Sequence, residues 1–264
     1  MSSKKSISGP HLLLAGTINR LLGGNWWTDG KALFVLSTGR TGTETLTELL
    51  TVSEDVLAFH EPNPQLIEER QQAFFEIEKD PLPFDRIFRA SRCRQVAAAK
   101  LQGRVYAETS ARLTFFAPVI HQIMPRAKFI HLYRHPGDVV RSGMRRGWYE
   151  GHPGDQFRIT PPRETEAFEL WNQWSRFEKI CWYWSAYHEF SLRFIATAAP
   201  ERVLHVNSDE MFNPDSGVWK TIFQLIEVPE PSEQLVRKSL AVRHNAQQGG
   251  DFPRFTEWTI EQRQ

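Results

Sequence analysis

Residues 32–50, ALFVLSTGRTGTETLTELL, restrict the fold more than any other segment of the chain. ALFVLS at 32–37 is a short apolar run rich in strand formers. Gly39 and Gly42 break it, and Leu46, Leu49 and Leu50 then recur at helical spacing. The segment reads as strand, loop, helix. The same grammar returns at 103–124, where VYAET precedes a helical stretch. It returns again at 127–147, where AKFIHLYR leads through Pro136 at a helix start to Val139, Val140 and Ser142. A run from Arg202 to Val206 precedes Pro214 and a helix through Ile226. Strands alternating with helices predict an α/β fold built on a parallel sheet covered on both faces.

The chain has 264 residues, 41% of them hydrophobic, enough for one large domain spanning 1–264. Lysine and arginine total 32 against 31 acidic residues, so the net charge of +1 gives no sign of a nucleic-acid-binding coat. Any anion site is therefore local. Two cysteines, Cys93 and Cys181, make no disulfide framework and suit a cytoplasmic protein. In the N-terminal segment 1–30, the apolar stretch from His11 to Leu22 is interrupted by Asn19 and Arg20. It is shorter than the ~20 residues a membrane span needs. Lys4 and Lys5 precede it, but no small-residue cleavage site closes it, so it reads as a short docking helix.

Between Glu164 and Ala198 the bulky residues Phe168, Trp171, Trp174, Phe177, Cys181, Trp184 and His188 recur every three or four positions, as in core-facing helices. Two stretches look irregular: 148–163, a lid or acceptor loop, and the C-terminal tail 230–264.

A loop between strand and helix presents backbone N–H groups and the positive end of the helix to an anion. In LSTGRTGTETL, Thr38, Gly39 and Gly42 shape such a loop. Arg40 adds a fixed charge, and Thr41 and Thr43 add hydroxyls. An ordinary turn whose threonines cap the helix has the same spacing, so both readings stand on this loop alone. It is not a Walker A loop. Thr43 and Glu44 follow Gly42 where that pattern has lysine and a Mg²⁺-holding hydroxyl, and Glu44 opposes a polyphosphate. A second segment, AKFIHLYRHPGDVVRSG at 127–143, puts Arg134 at a strand end and Ser142 eight residues on, both able to face one anion.

With these two segments the sequence resembles the sulfotransferases that use 3′-phosphoadenosine 5′-phosphosulfate (PAPS). Their signatures are a 5′-phosphosulfate loop of the type [RK]-[ST]-G-[TS]-[TS] and an I-x-x-x-R-x-P-x-D-x-x-x-S segment for the 3′-phosphate. Here these read R-T-G-T-E and I-H-L-Y-R-H-P-G-D-V-V-R-S, with Ile130, Arg134, Pro136, Asp138 and Ser142 all matching. The NSDEM segment at 207–211 also looks like a late element of that family. The resemblance implies a three-layer α/β sandwich with a P-loop-like phosphate-binding loop, PAPS as donor and no metal. It implies that Arg40, Thr41, Gly42 and Thr43 hold the 5′-phosphosulfate, and that Arg134 and Ser142 hold the 3′-phosphate. The pattern departs at Glu44, in the lack of a tryptophan after the loop at Thr45 and Leu46, and in the lack of a C-terminal Arg-Lys-Gly element. Arg243 or Arg254, around Gly249 and Gly250, is the substitute for the last.

In-line sulfuryl transfer asks for positioning and cations, which Arg40 and the loop supply, and for a base when the acceptor is a hydroxyl or an amine. HEPNP at 60–64 offers Glu61 first and His60 second, with Glu108 third. The acceptor is expected to be a small molecule or carbohydrate. Arg141, Arg145, Arg146, Arg158 and Arg163 outnumber Glu150 and Asp155 around the 148–163 loop, and suit either an anionic acceptor or a solvated face. Arg86, Arg89, Arg92 and Arg94 carry the same two readings. The rival readings are a non-catalytic nucleotide-binding module and a P-loop kinase. A preference for ATP–Mg²⁺ over the desulfated bisphosphate would mark the kinase.

Overall fold

The computed structural model describes residues 9–23, 25–242 and 250–263. The strands are β1 (Ala32–Leu36), β2 (Val56–Phe59), β3 (Val105–Glu108), β4 (Lys128–Tyr133) and β5 (Val203–Asn207). They form one parallel sheet in the order β2-β3-β1-β4-β5. The helices are α1 (Gly9–Leu22), α2 (Thr43–Thr51), α3 (Ile67–Glu76), α4 (Leu82–Leu101), α5 (Ala117–Ile123) and α6 (Pro136–Arg145). They continue as α7 (Glu166–Leu170), α8 (Arg176–Ile195), α9 (Ser208–Phe212), α10 (Val218–Leu225), α11 (Glu233–Leu240) and α12 (Ile260–Arg263).

Side chains alternate across a strand, and the alternation builds two cores. Ala32, Phe34 and Leu36 of β1, with Tyr106 and Phe129, pack on one face against Phe88 of α4, Ile120 of α5 and Tyr187 and Phe190 of α8. Leu33 and Val35, with Ala107, Ile130 and Leu132, pack on the other against Leu46, Leu49 and Leu50 of α2, Phe223 of α10 and Val236 of α11. Each such side chain contributes about 1.5–3 kcal/mol on burial. This is the three-layer α/β sandwich that the alternating elements predict. β1 and β4 are neighbours, and the connection from β1 runs to β2 on one side of the sheet while that from β4 runs to β5 on the other. In open parallel sheets that reversal opens a crevice at the carboxyl ends of the strands.

The expectations for the tail and for the aromatic stretch need correction, and the 148–163 loop gains detail. The tail after Glu230 is not irregular throughout: Ser232 precedes α11, and Val236 and Leu240, four residues apart, are buried against the sheet layer. Its last stretch is also docked, because Arg141 and Arg145 of α6 donate to the carbonyls of Phe252 and Gly250, each at 2.9 Å. The 148–163 loop is irregular but pinned. Trp148 and Ile159 are buried, Arg70 and Gln71 of α3 donate to the carbonyls of Phe157 and Arg158, and the Arg158 guanidinium stacks 4.0 Å from the Trp148 ring. In the aromatic stretch, Phe168 is exposed and the deeply buried face of α8 is Ile180, Tyr183, Tyr187, Phe190 and Phe194, one position off the face expected.

The N-terminal helix docks on α4, with Ala15 buried and Ile18 and Leu22 against the same core. Asn19 interrupts its apolar run for a reason: its side-chain oxygen accepts from both Trp26 and Trp27 indoles, at 2.8 and 3.3 Å. Lys4 and Lys5 lie outside the described residues. Among the described residues no helix is long and apolar enough to cross a membrane.

Candidate active site

The loop after β1 is held by its own side chains and by three distant hydroxyls. The Ser37 N–H donates to Thr114 Oγ1 and the Thr114 hydroxyl donates to the Ser37 carbonyl, both at 3.0 Å. Tyr183 of α8 donates to the Thr38 carbonyl at 3.0 Å. Ser208, which opens α9, donates to the Thr41 carbonyl at 2.6 Å and to the Tyr133 carbonyl at 3.0 Å, so it ties this loop to the end of β4. Thr114, Tyr183 and Ser208 were not among the expected site residues. Only Ser208 had a sequence signal, the NSDEM segment.

Backbone conformation follows from these ties. Gly39, Arg40 and Gly42 all take positive φ, 76°, 61° and 90°. A Cβ on Gly42 would stand 2.5 Å from Phe212 Cζ and 2.9 Å from Met211 Cε, so those side-chain ends of α9 would have to move to admit one. Arg40 adopts the left-handed region without being glycine, a strain found where the surroundings over-determine the backbone. Gly42 caps α2 with no side-chain cap hydrogen bond, so the positive end of α2 opens at this loop.

The threonines do not act as the sequence suggests. Thr41 is fully buried and its hydroxyl pairs with Ser37 Oγ at 2.6 Å, while the Thr38 hydroxyl donates to the Gly39 carbonyl at 2.8 Å. Both hydroxyls are spent on shaping the loop, and both carbonyls already accept, from Tyr183 and Ser208. Thr43 opens α2, and its carbonyl accepts from Thr47 at 3.1 Å.

The two motifs, 94 residues apart, meet directly. Arg134 Nη1 donates to the Arg40 carbonyl at 3.3 Å, and Arg40 Nε donates to Ser142 Oγ at 3.3 Å. Pro136 starts α6, and Asp138 steadies Arg134 at 3.4 Å. Burial, followed by the charges of Arg146 and Arg134, lowers the Arg40 pKa to about 10, against the opposing pull of Glu44 and Glu61. Arg146 and Arg134 thus lie close enough to repel Arg40, and an anion entering the crevice would relieve that repulsion. Glu44 offsets part of that field rather than pointing away from it. Among the described residues no His, Cys, Asp and Glu group is arranged to hold a metal.

The HEPNP turn closes one side. Glu61, at φ 46°, pairs with Arg112 at 2.7 Å and lies within the field of Arg40. His60 is turned away from Arg112: its Nδ1 meets Thr109 Oγ1 at 3.1 Å, which in turn meets Thr47 Oγ1 at 2.5 Å. Glu108, the third candidate base, is buried and already engaged. It is sealed on the α4 face of the sheet, gripped by Arg92 at 2.6 and 2.9 Å and by the Tyr106 hydroxyl at 2.5 Å. The same pair corrects the reading of Arg92, which is neither solvated nor an acceptor contact. Arg141, Arg145 and Arg158 are likewise engaged with carbonyls, Asp155 and Trp148.

The family model described as "Sulfotransferase family" matches residues 32–232, from the start of β1 to beyond α10. The chain belongs to the sulfotransferase family. Among solved structures it is similar to a sulfotransferase of Mycobacterium tuberculosis, at 13% identity and TM-score 0.51, covering 87% of this chain and 76% of that one. It is also similar to a sulfotransferase of Mycobacterium avium, at 15% identity and TM-score 0.50, covering 90% and 73%. At such identities the likeness is one of fold. No curated protein matches the chain.

Proposed function

We propose that this sulfotransferase moves the sulfuryl group of PAPS to a hydroxyl, or less favourably an amine, of a small-molecule or carbohydrate acceptor. The observation that carries the donor assignment is the contact of Arg40 with Ser142 and of Arg134 with the Arg40 carbonyl. It sets a cluster of cations where one bisphosphorylated nucleotide can lie across both motifs. The residues fit that group. The amides of residues 40–44 and Arg40 take the 5′ end, and Arg134 and Ser142 take the 3′-phosphate. Phe212, 39% exposed and lying against Gly42, offers a ring for the adenine in place of the missing tryptophan. Arg254 is described and lies on the docked tail, whereas Arg243 and Gly249 lie outside the described residues.

The bound donor supplies an electrophilic sulfur with a bisphosphate leaving group. Arg40 and the α2 amides stabilise the charge that gathers on the bridging oxygen as the bond breaks. Glu61, set between Arg40 and Arg112, receives the acceptor's proton, and His60, fixed through Thr109, holds the turn in register. Calorimetry with 3′-phosphoadenosine 5′-phosphate and adenosine 5′-monophosphate tests the donor site. Arg134→Ala and Ser142→Ala should each weaken the bisphosphate by about 10- to 100-fold, the worth of a hydrogen bond to a charged group, and leave the monophosphate nearly unchanged. Equal losses for both nucleotides, or a wild-type preference for ATP–Mg²⁺, would refute the assignment.

A further inference from the structure

Next to the donor loop lies a second polar cluster that donor binding does not use. Its walls are α3, the 3₁₀ turn Ala111–Phe116 and α8, stitched by ring contacts: Phe74 to Phe115 at 5.0 Å, Phe115 to Tyr187 at 4.4 Å and Tyr187 to Tyr183 at 4.7 Å. Tyr183 anchors the cluster to the crevice through the Thr38 carbonyl. Three polar groups converge here with hydrogen-bonding capacity left over. Arg70 Nη2 donates to the Phe157 carbonyl, but its Nε is buried without a partner. Arg112 Nη2 holds Glu61, but its Nη1 is buried without a partner. The Tyr187 hydroxyl, on a side chain 1% exposed, lies beside Tyr183 with no hydrogen bond of good geometry.

We propose that the acceptor carries an oxyanion, such as a carboxylate, close to the group that is sulfated, and that Arg70, Arg112 and Tyr187 bind it. The inference rests on the sulfuryl-transfer reading and names the acceptor class for that same crevice. Arg112 pairs with Glu61 and Arg70 lies within the field of the same carboxylate, so two guanidinium groups share one negative charge here. A buried donor left unmet costs about 1–3 kcal/mol, a cost that an oxyanion reaching these groups would recover and an apolar acceptor would leave in place. A planar oxyanion instead accepts from both guanidinium forks and from the phenol. Burial lowers the Arg112 pKa, with Glu61 opposing and Arg70 adding to the shift, while the Arg70 pKa is raised against burial by its neighbours, Glu61 among them. Arg112 also links binding to chemistry. One of its nitrogens fixes Glu61 and the other faces the anion, so a docked acceptor brings its hydroxyl to the base.

The test uses matched probes: 4-hydroxybenzoate and its methyl ester, and glucuronate and its methyl ester. Binding to the whole protein is measured by calorimetry with and without saturating 3′-phosphoadenosine 5′-phosphate. The acids should bind at least ~10-fold tighter than the esters, and Arg112→Gln should erase that preference while Arg112→Lys keeps part of it. Tyr187→Phe, which removes only a hydroxyl, should weaken the acids severalfold and leave the bisphosphate unaffected. Esters binding as well as acids, no member of either pair binding, or an undiminished preference in Arg112→Gln would each overturn the proposal. Failure of the bisphosphate to bind would sink the donor assignment instead, and the acid preference is still read in its absence.

Discussion

Glu61 occupies a backbone conformation that a glutamate does not choose for itself, with one guanidinium paired to its carboxylate and a second within its field. Strain of that kind costs on the order of 1–3 kcal/mol and persists where surrounding contacts over-determine it, which is the setting expected of a group held for chemistry. Glu61→Gln keeps the shape and removes the proton acceptor. Turnover in a labelled-PAPS assay should fall by about 10²- to 10⁴-fold with bisphosphate affinity preserved, and a wild-type rate would eliminate Glu61 as the base. HEPNP was legible as a candidate because it joins a strand end to titratable residues. The sequence left Glu61, His60 and Glu108 unordered in space. Only the strand register, which turns Glu108 to the α4 face beside Arg92, separates them.

At the scale of elements, the β1–α2 loop is the part that reads most directly from sequence, since glycine, arginine and hydroxyl residues at fixed spacing have few other uses. What could not be read is what holds it. Thr114, Tyr183 and Ser208 reach the loop from 77, 145 and 167 residues away, and a lone serine or tyrosine carries no local sign of such a tie. The eight-residue α11 was missed for a similar reason, because only Val236 and Leu240 of that helix are buried, and the pattern they leave is faint. Gly42→Ala tests the loop as a unit. The substitution places a Cβ against Phe212 and Met211 at φ 90°, and Phe212 can yield but the backbone cannot. Denaturant unfolding should show a loss of about 1–3 kcal/mol, together with greatly weakened bisphosphate binding. Unchanged stability and affinity would mean that α9 does not constrain the loop.

Across the whole molecule, the sheet carries a chain of imidazoles. His131 of β4 lies 2.9 Å from His188 of α8 and 3.1 Å from His205 of β5. Burial, then the charges of His188 and His205, pushes His131 down to about 3, and burial lowers His188 to about 4, from an ordinary 6.5. Both groups stay neutral in the folded protein while the unfolded chain takes up protons below pH 6.5, so their contribution to stability is complete above that value. It is lost progressively as the pH falls below 6.5, until the folded values of about 4 and 3 are passed. Urea unfolding at pH 7 and pH 5 should therefore show lower stability at the acid end, and His131→Gln should flatten the slope between them. A slope identical in the variant would assign the acid sensitivity elsewhere.

Arg92 reaches both backward and forward along the chain, to the Pro64 carbonyl 28 residues before it and to Glu108 16 residues after it. One side chain thereby pins the turn that carries the proposed base to the strand beside the donor loop. Without the docking of α4 that tie is lost, so the position of the HEPNP turn depends on a helix that contributes no residue to either phosphate motif.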